Sequence, residues 1–133
     1  MKNPKRLTIL MLLANSFIVI VAGHGIGTIG IIQVAVLSDL IGLGGPSSSG
    51  GLLVDQLFWL SVINFVGQIL VVTALFKKQS KFLFTVMGLF LMLFAFVILL
   101  NYLGEPASVV ISVVTGIPFL VLAGLLLFKY RKG

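Results

Sequence analysis

Apolar positions run almost unbroken through four stretches of this chain, Leu7–Gly23, Gln56–Phe76, Phe82–Leu103 and Ser108–Phe128, and polar positions gather between them. A helix needs about 20 apolar residues to cross the hydrocarbon core of a bilayer, so each stretch is read as a transmembrane helix. The first is slightly short and is expected to recruit residues on either side. It follows Lys2, Lys5 and Arg6, as the apolar core of a signal peptide would. It is long for that role, so it is read as a retained first crossing. The pattern predicts an all-α integral membrane protein, a single domain over 1–133 built as a four-helix bundle.

The connections differ in kind. Lys77-Lys78-Gln79-Ser80-Lys81 is a tight basic turn, and Gly104-Glu105-Pro106-Ala107 a tight acidic one whose Pro suits a helix start. Residues 24–55 form the one long connection. Its apolar run, Gly25–Ser38, covers only 14 residues, a length that suits an interfacial or re-entrant helix better than a crossing. The residues after it, Gly42 to Gly51, read as a flexible Gly/Ser return linker.

Charge then fixes an expected orientation. All nine cations fall in three places: Lys2, Lys5 and Arg6; Lys77, Lys78 and Lys81; Lys129, Arg131 and Lys132. Four crossings put all three clusters on one face and the three acids, Asp39, Asp55 and Glu105, on the other. Cations are retained on the cytoplasmic side during insertion. The reading is therefore N-in and C-in, with the 24–55 connection outside. A net charge of +6 suggests nucleic acid at first sight, but cations clustered at span ends meet anionic headgroups instead.

Composition agrees. Hydrophobic residues make up 59% and charged residues 9%, against roughly 25% charged in soluble domains, and the mean hydropathy is +1.26. The partner implied is the lipid bilayer, with other membrane subunits or a second copy. Compact size without long domains suggests a bacterial inner membrane, both termini cytoplasmic.

Within the spans, Ser61, Asn64 and Gln68 share one helical face, and Asn15 lies at a depth similar to Asn64. An Asn15–Asn64 hydrogen bond between neighbouring helices is expected. The group reads as interhelical glue, or alternatively as the lining of a polar path. Ser108, Ser112, Gly116 and Gly124 form a small-residue packing face on the fourth span. Pro118 predicts a kink there, with Thr115 placed to bond a freed carbonyl. Gly23, Gly25, Gly27 and Gly30 resemble a phosphate-cradling loop only weakly, with no Walker lysine and no preceding strand. The Gly23–Gly27 spacing instead suggests close helix contact.

His24 and Asp55 end one span and begin the next, on the same expected face. They form a candidate proton or gate pair, or else a solvated interfacial His and an acid near a helix start. There is no cysteine and one histidine, so neither Cys-based chemistry nor a His-pair metal site is available. No catalytic constellation, metal site or cofactor motif emerges. The leading expectation is a non-enzymatic membrane protein acting by helix packing, as an accessory subunit or homo-oligomer. The alternative is a small transporter or channel gated at His24 and Asp55.

Overall fold

A computed structural model describes residues 4–22, 25–41, 52–77 and 79–132. The elements run α1 (Pro4–Ser16), β1 (Val19–Ala22), β2 (Gly25–Thr28), α2 (Ile29–Leu40), α3 (Leu52–Phe76), α4 (Lys81–Tyr102) and α5 (Pro106–Lys132). The protein is mostly helical. Phe58–Phe76, Lys81–Asn101 and Pro106–Arg131 are long and apolar enough to cross a membrane, and Ile29–Ser38 is a shorter apolar helix.

The three long helices follow from composition and from their ends. α4 starts after Ser80, which adopts a left-handed φ of 68°. It closes at Leu103, whose N–H bonds the Leu99 carbonyl at 3.2 Å. Gly104 follows with φ 61°, the left-handed residue that commonly terminates helices because it has no Cβ to clash. Pro106 then opens α5, where a missing N–H costs nothing. α5 runs unbroken through Pro118, which lies exposed on its outer side.

The N-terminal third departs from the single helix expected over Leu7–Gly23. Leu7–Gly23 is not one helix: α1 stops at Ser16, and β1 pairs antiparallel with β2 in the register Val19↔Thr28, Ile20↔Gly27, Val21↔Ile26 and Ala22↔Gly25. A two-stranded hairpin therefore interrupts an otherwise helical membrane chain. The residues after Phe17 read Ile-Val-Ile-Val, a β-branched run that favours strand. A two-residue Gly-His connection to a second run is a hairpin signal. Hydropathy alone cannot separate such a strand from a buried helix. The short helix expected within the 24–55 connection is present as α2, and β2 precedes it.

Gly27 belongs to β2, and a Cβ there would meet nothing within 4 Å, so the expected close helix contact through it is replaced by strand pairing. A strand does precede the glycines, against the sequence reading. His24, Gly23 and the Gly42–Gly51 linker lie outside the described residues. The backbone of Asp55 is helical within α3, but its side chain is not described.

The bundle closes around a core that includes Met11, Ile18, Leu89, Met92, Phe119 and Leu126. α3 and α4 make the most extensive interface, and α1 packs chiefly on α5. Val19, just beyond α1, bonds Ser112 and Thr115 near the start of α5. α1 must therefore lie along the later part of α5, antiparallel to it. That sets the described cations Lys5, Arg6, Lys77, Lys81, Lys129 and Arg131 at one end of the bundle.

Candidate functional site

The site forms where α1 breaks. The last turn of α1 spends its carbonyls locally: Phe17 N–H bonds Leu13 O at 3.1 Å, Ile18 N–H bonds Asn15 O at 3.3 Å, and Ser16 Oγ donates to Leu12 O at 3.1 Å. The start of α2 is equally closed. Ile29 N–H donates to Ile18 O at 3.0 Å, extending the hairpin ladder by one step. Thr28 caps the helix by accepting from Ile31 N–H at 3.4 Å. Gly30 lets the two helix ends approach, since a Cβ there would lie 3.1 Å from Ser16 O. These local bonds occupy helix-end groups that an anion or cation would otherwise use, and no Walker lysine is present, so phosphate binding gains no support.

α5 holds the hairpin from the other side. Val19 faces away from β2, and its N–H donates to Thr115 Oγ1 at 3.0 Å. Its carbonyl accepts from Ser112 Oγ at 2.8 Å. Thr115 Oγ1 in turn donates to Ile111 O at 2.8 Å. Thr115 therefore serves β1 and its own preceding turn, rather than the carbonyl freed by Pro118. An apolar surrounding makes such bonds necessary, because an unsatisfied backbone group there costs several kcal/mol, on the order of 2–7.

Between these supports lie the amides. Asn15 Nδ2 donates to Asn64 Oδ1 at 3.3 Å, and the two side chains are 1% and 3% exposed. One step along α3, Gln68 Nε2 donates to Gln33 Oε1 at 3.4 Å. Ser61, also buried, completes the α3 face. Three amide atoms at these pairs are buried without a partner: Asn15 Oδ1, Asn64 Nδ2 and Gln33 Nε2. Asn64 and Ser61 line a cavity otherwise walled by apolar groups, among them Ile29, Leu60, Ala95 and Phe96, with about 20 Å³ of water-accessible space.

The other expected residues fall elsewhere. Ser108, Ser112 and Gly116 turn inward and are buried, Gly116 against the Phe96 ring, which a Cβ would meet at 2.7 Å. Gly124 is exposed, and a Cβ on it would meet nothing within 4 Å. Pro118 is exposed and remote from the amides in sequence. The structure does not describe the His24 and Asp55 side chains. Among the described residues, no three His, Cys, Asp or Glu side chains gather as metal ligands.

Two features escaped the sequence reading. Gln33 stands alone in an apolar run, and its role emerges only with Gln68 beside it. The second is the reciprocal approach of α3 and α4: a Cβ on Gly67 would lie 2.7 Å from Gly88 O, and one on Gly88 2.6 Å from Gly67 O. One glycine per helix makes no repeat, so only the packing reveals it.

No protein family model, curated protein or solved structure matches this chain.

Proposed function

We propose that this is a small non-enzymatic membrane protein of the transporter or channel class, handling a small uncharged polar solute beside the amides of Asn15, Gln33, Asn64 and Gln68. The observation that carries the reading is the set of buried, unpartnered amide atoms at the break between α1 and α2. Non-helical backbone at membrane depth is tolerated where protein buries it or where it lines a water-filled cavity. Broken helices beside polar side chains are a recurring way to build a solute site.

The proposed topology has four crossings, with both termini on the cytoplasmic face of a bacterial inner membrane. Its support is the sorting of cations and acids in the sequence. The first crossing is then composite. The 13 residues of α1 at 1.5 Å each give about 20 Å, and the four of β1 at 3.3 Å add about 13 Å. Their sum, about 33 Å, matches a hydrocarbon core of about 30 Å. His24 would then lie at the outer end, with Asp55 at the start of α3, so the gate role remains part of this reading.

The test is solute-driven swelling of proteoliposomes with urea, glycerol and water as permeants. Faster swelling than in protein-free liposomes, reduced by Asn64→Leu and by Gln68→Leu, is expected. Rates equal to protein-free liposomes for all three permeants contradict the reading.

The second reading is an accessory subunit or homo-oligomer acting by helix packing. It is favoured by open, largely apolar grooves on either side of Phe65, which is 40% exposed. It loses one of its motives, because Ser108, Ser112 and Gly116 pack within the chain rather than outward. Crosslinking in native membranes discriminates: a monomer band with no captured subunit counts against it.

A further inference from the structure

We infer that the groove between α1 and α3 binds one anionic phospholipid, with an acyl chain along the groove and the phosphate on Arg6 and Lys77. The groove holds about 360 Å³ and is open along its outer side. Ile9 and Leu13 line it from α1, and Phe65, Ile69 and Val72 from α3. All five are 38–52% exposed, so hydrocarbon can lie directly against them. Three polar residues share the wall, and each donates within the chain. Ser16 Oγ bonds Leu12 O at 3.1 Å, Thr73 Oγ1 bonds Ile69 O at 2.7 Å, and Gln68 Nε2 bonds Gln33 Oε1 at 3.4 Å. A hydrocarbon chain seated there strips no hydroxyl of its acceptor.

Charge at one end of the groove selects the lipid. Arg6, Ile9, Leu13 and Ser16 follow at i, i+3, i+7 and i+10, one face of α1, so the stripe that lines the groove ends in a guanidinium. On α3, Lys77 lies one turn beyond Thr73, and its N–H bonds Thr73 O at 3.2 Å. Both cations are exposed, and Lys77 Nζ rests 5.7 Å from the centre of the Phe84 ring. Length fits as well. At 1.5 Å per residue, Arg6 to Ser16 rises about 15 Å and Phe65 to Lys77 about 18 Å. One leaflet is half of a hydrocarbon core of about 30 Å, or about 15 Å. A chain in the groove thus spans one leaflet and brings its phosphate level with the two cations. No acid is among the described residues that line the groove, and basic clefts between membrane helices take anionic headgroups. A guanidinium offers phosphate two parallel donors. An apolar helix from another subunit, the competing occupant, would bring no anion to this end. The site stands whether or not solute crosses the protein.

Native mass spectrometry tests this on the full chain released from nanodiscs of equal phosphatidylglycerol and phosphatidylcholine. One retained lipid is expected, with phosphatidylglycerol preferred. Arg6→Gln and Lys77→Gln are each expected to cut that preference about fivefold, the usual worth of one cation near an anionic headgroup. Arg131→Gln removes a cation from α5, outside the groove, and is expected to leave the preference unchanged. Val72→Trp fills the groove and is expected to abolish retention of either lipid. Should Val72→Trp fail to fold, Leu13→Phe takes its place with the same expectation. Equal retention of the two lipids overturns the inference. So does a preference that falls as far in Arg131→Gln as in Arg6→Gln, which would mean general attraction to a basic end. Retention that survives the filled groove overturns the acyl-chain seat. A second protein chain retained in place of lipid overturns the inference in favour of helix docking.

Discussion

Asn15 Nδ2 donates to Asn64 Oδ1 across 3.3 Å, joining two side chains that are 49 residues apart in sequence and almost wholly buried. The bond ties the last turn of α1 to the middle of α3. Removing one partner leaves the other amide buried and unpaired, which costs about 1–3 kcal/mol. Asn15→Leu and Asn64→Leu are each expected to destabilise the fold by that amount. The double variant is expected to lose less than the sum of the singles, with a coupling of about 0.6–2 kcal/mol. Unfolding equilibria in mixed detergent micelles measure it, and strict additivity would show that the bond contributes nothing.

The hydroxyls of Ser112 and Thr115 bind the exposed edge of β1 at Val19. Thr115→Val keeps the shape and removes the acceptor for Val19 N–H. Hydrogen exchange at the Val19 amide is expected to accelerate about tenfold, the equivalent of losing about 1.4 kcal/mol of local protection. Amides in the middle of α4 serve as the control and should keep their rates. An unchanged Val19 rate would show that the Thr115 bond does not protect this amide.

Glycines on this fold are not equivalent. Gly67 and Gly88 face each other so closely that a methyl group on either meets the other's backbone carbonyl at 2.6–2.7 Å. Gly67→Ala and Gly88→Ala are therefore expected to destabilise by about 1–3 kcal/mol, the usual range for overpacking. Gly124, with open space at its Cβ, is expected to accept Ala within about 0.5 kcal/mol. Thermal unfolding of the three variants side by side checks the contrast. A large loss in Gly124→Ala would instead point to a partner surface at that position.

Much of the fold was legible in the sequence, for a physical reason. Twenty-odd consecutive apolar residues leave lipid as the only compatible solvent, so α3, α4 and α5 follow closely from hydropathy, and the Gly104 and Pro106 punctuation from backbone sterics. The depth of Asn15 and Asn64 could be counted from their span ends, and the structure joins them. The break after Ser16 was not read, because Ile18 to Val21 are as hydrophobic in a strand as in a helix. The signals that separate the two are β-branching and the Gly-His connection, which a reading by length and hydropathy does not use. Gln33 was missed because it acquires meaning only from Gln68, 35 residues away. The Gly67–Gly88 contact depends on the rotation of two helices about their axes, which the composition of neither helix specifies.

Gly30 joins the ends of α1 and α2, and a Cβ on it would press on Ser16 O at 3.1 Å and Ser16 Cβ at 3.3 Å. Gly30→Val is expected to push the helix ends apart and to weaken the Gln33–Gln68 contact. Exchange at the Gln33 side-chain amide should rise several-fold, while the Gly67–Gly88 interface remains intact. Unaltered exchange at Gln33 would show that the helix ends have room to spare.

The central claim is that the chain leaves the helix at Ser16 and turns back through a β-hairpin. Solid-state NMR of the protein in lipid bilayers, labelled at isoleucine, valine and glycine, tests it most directly. The account predicts β-type carbon shifts at Val19, Ile20 and Ile26, with a cross-strand contact between Ile20 and Gly27. Helical shifts running without a break from Leu7 to Val21 would contradict it.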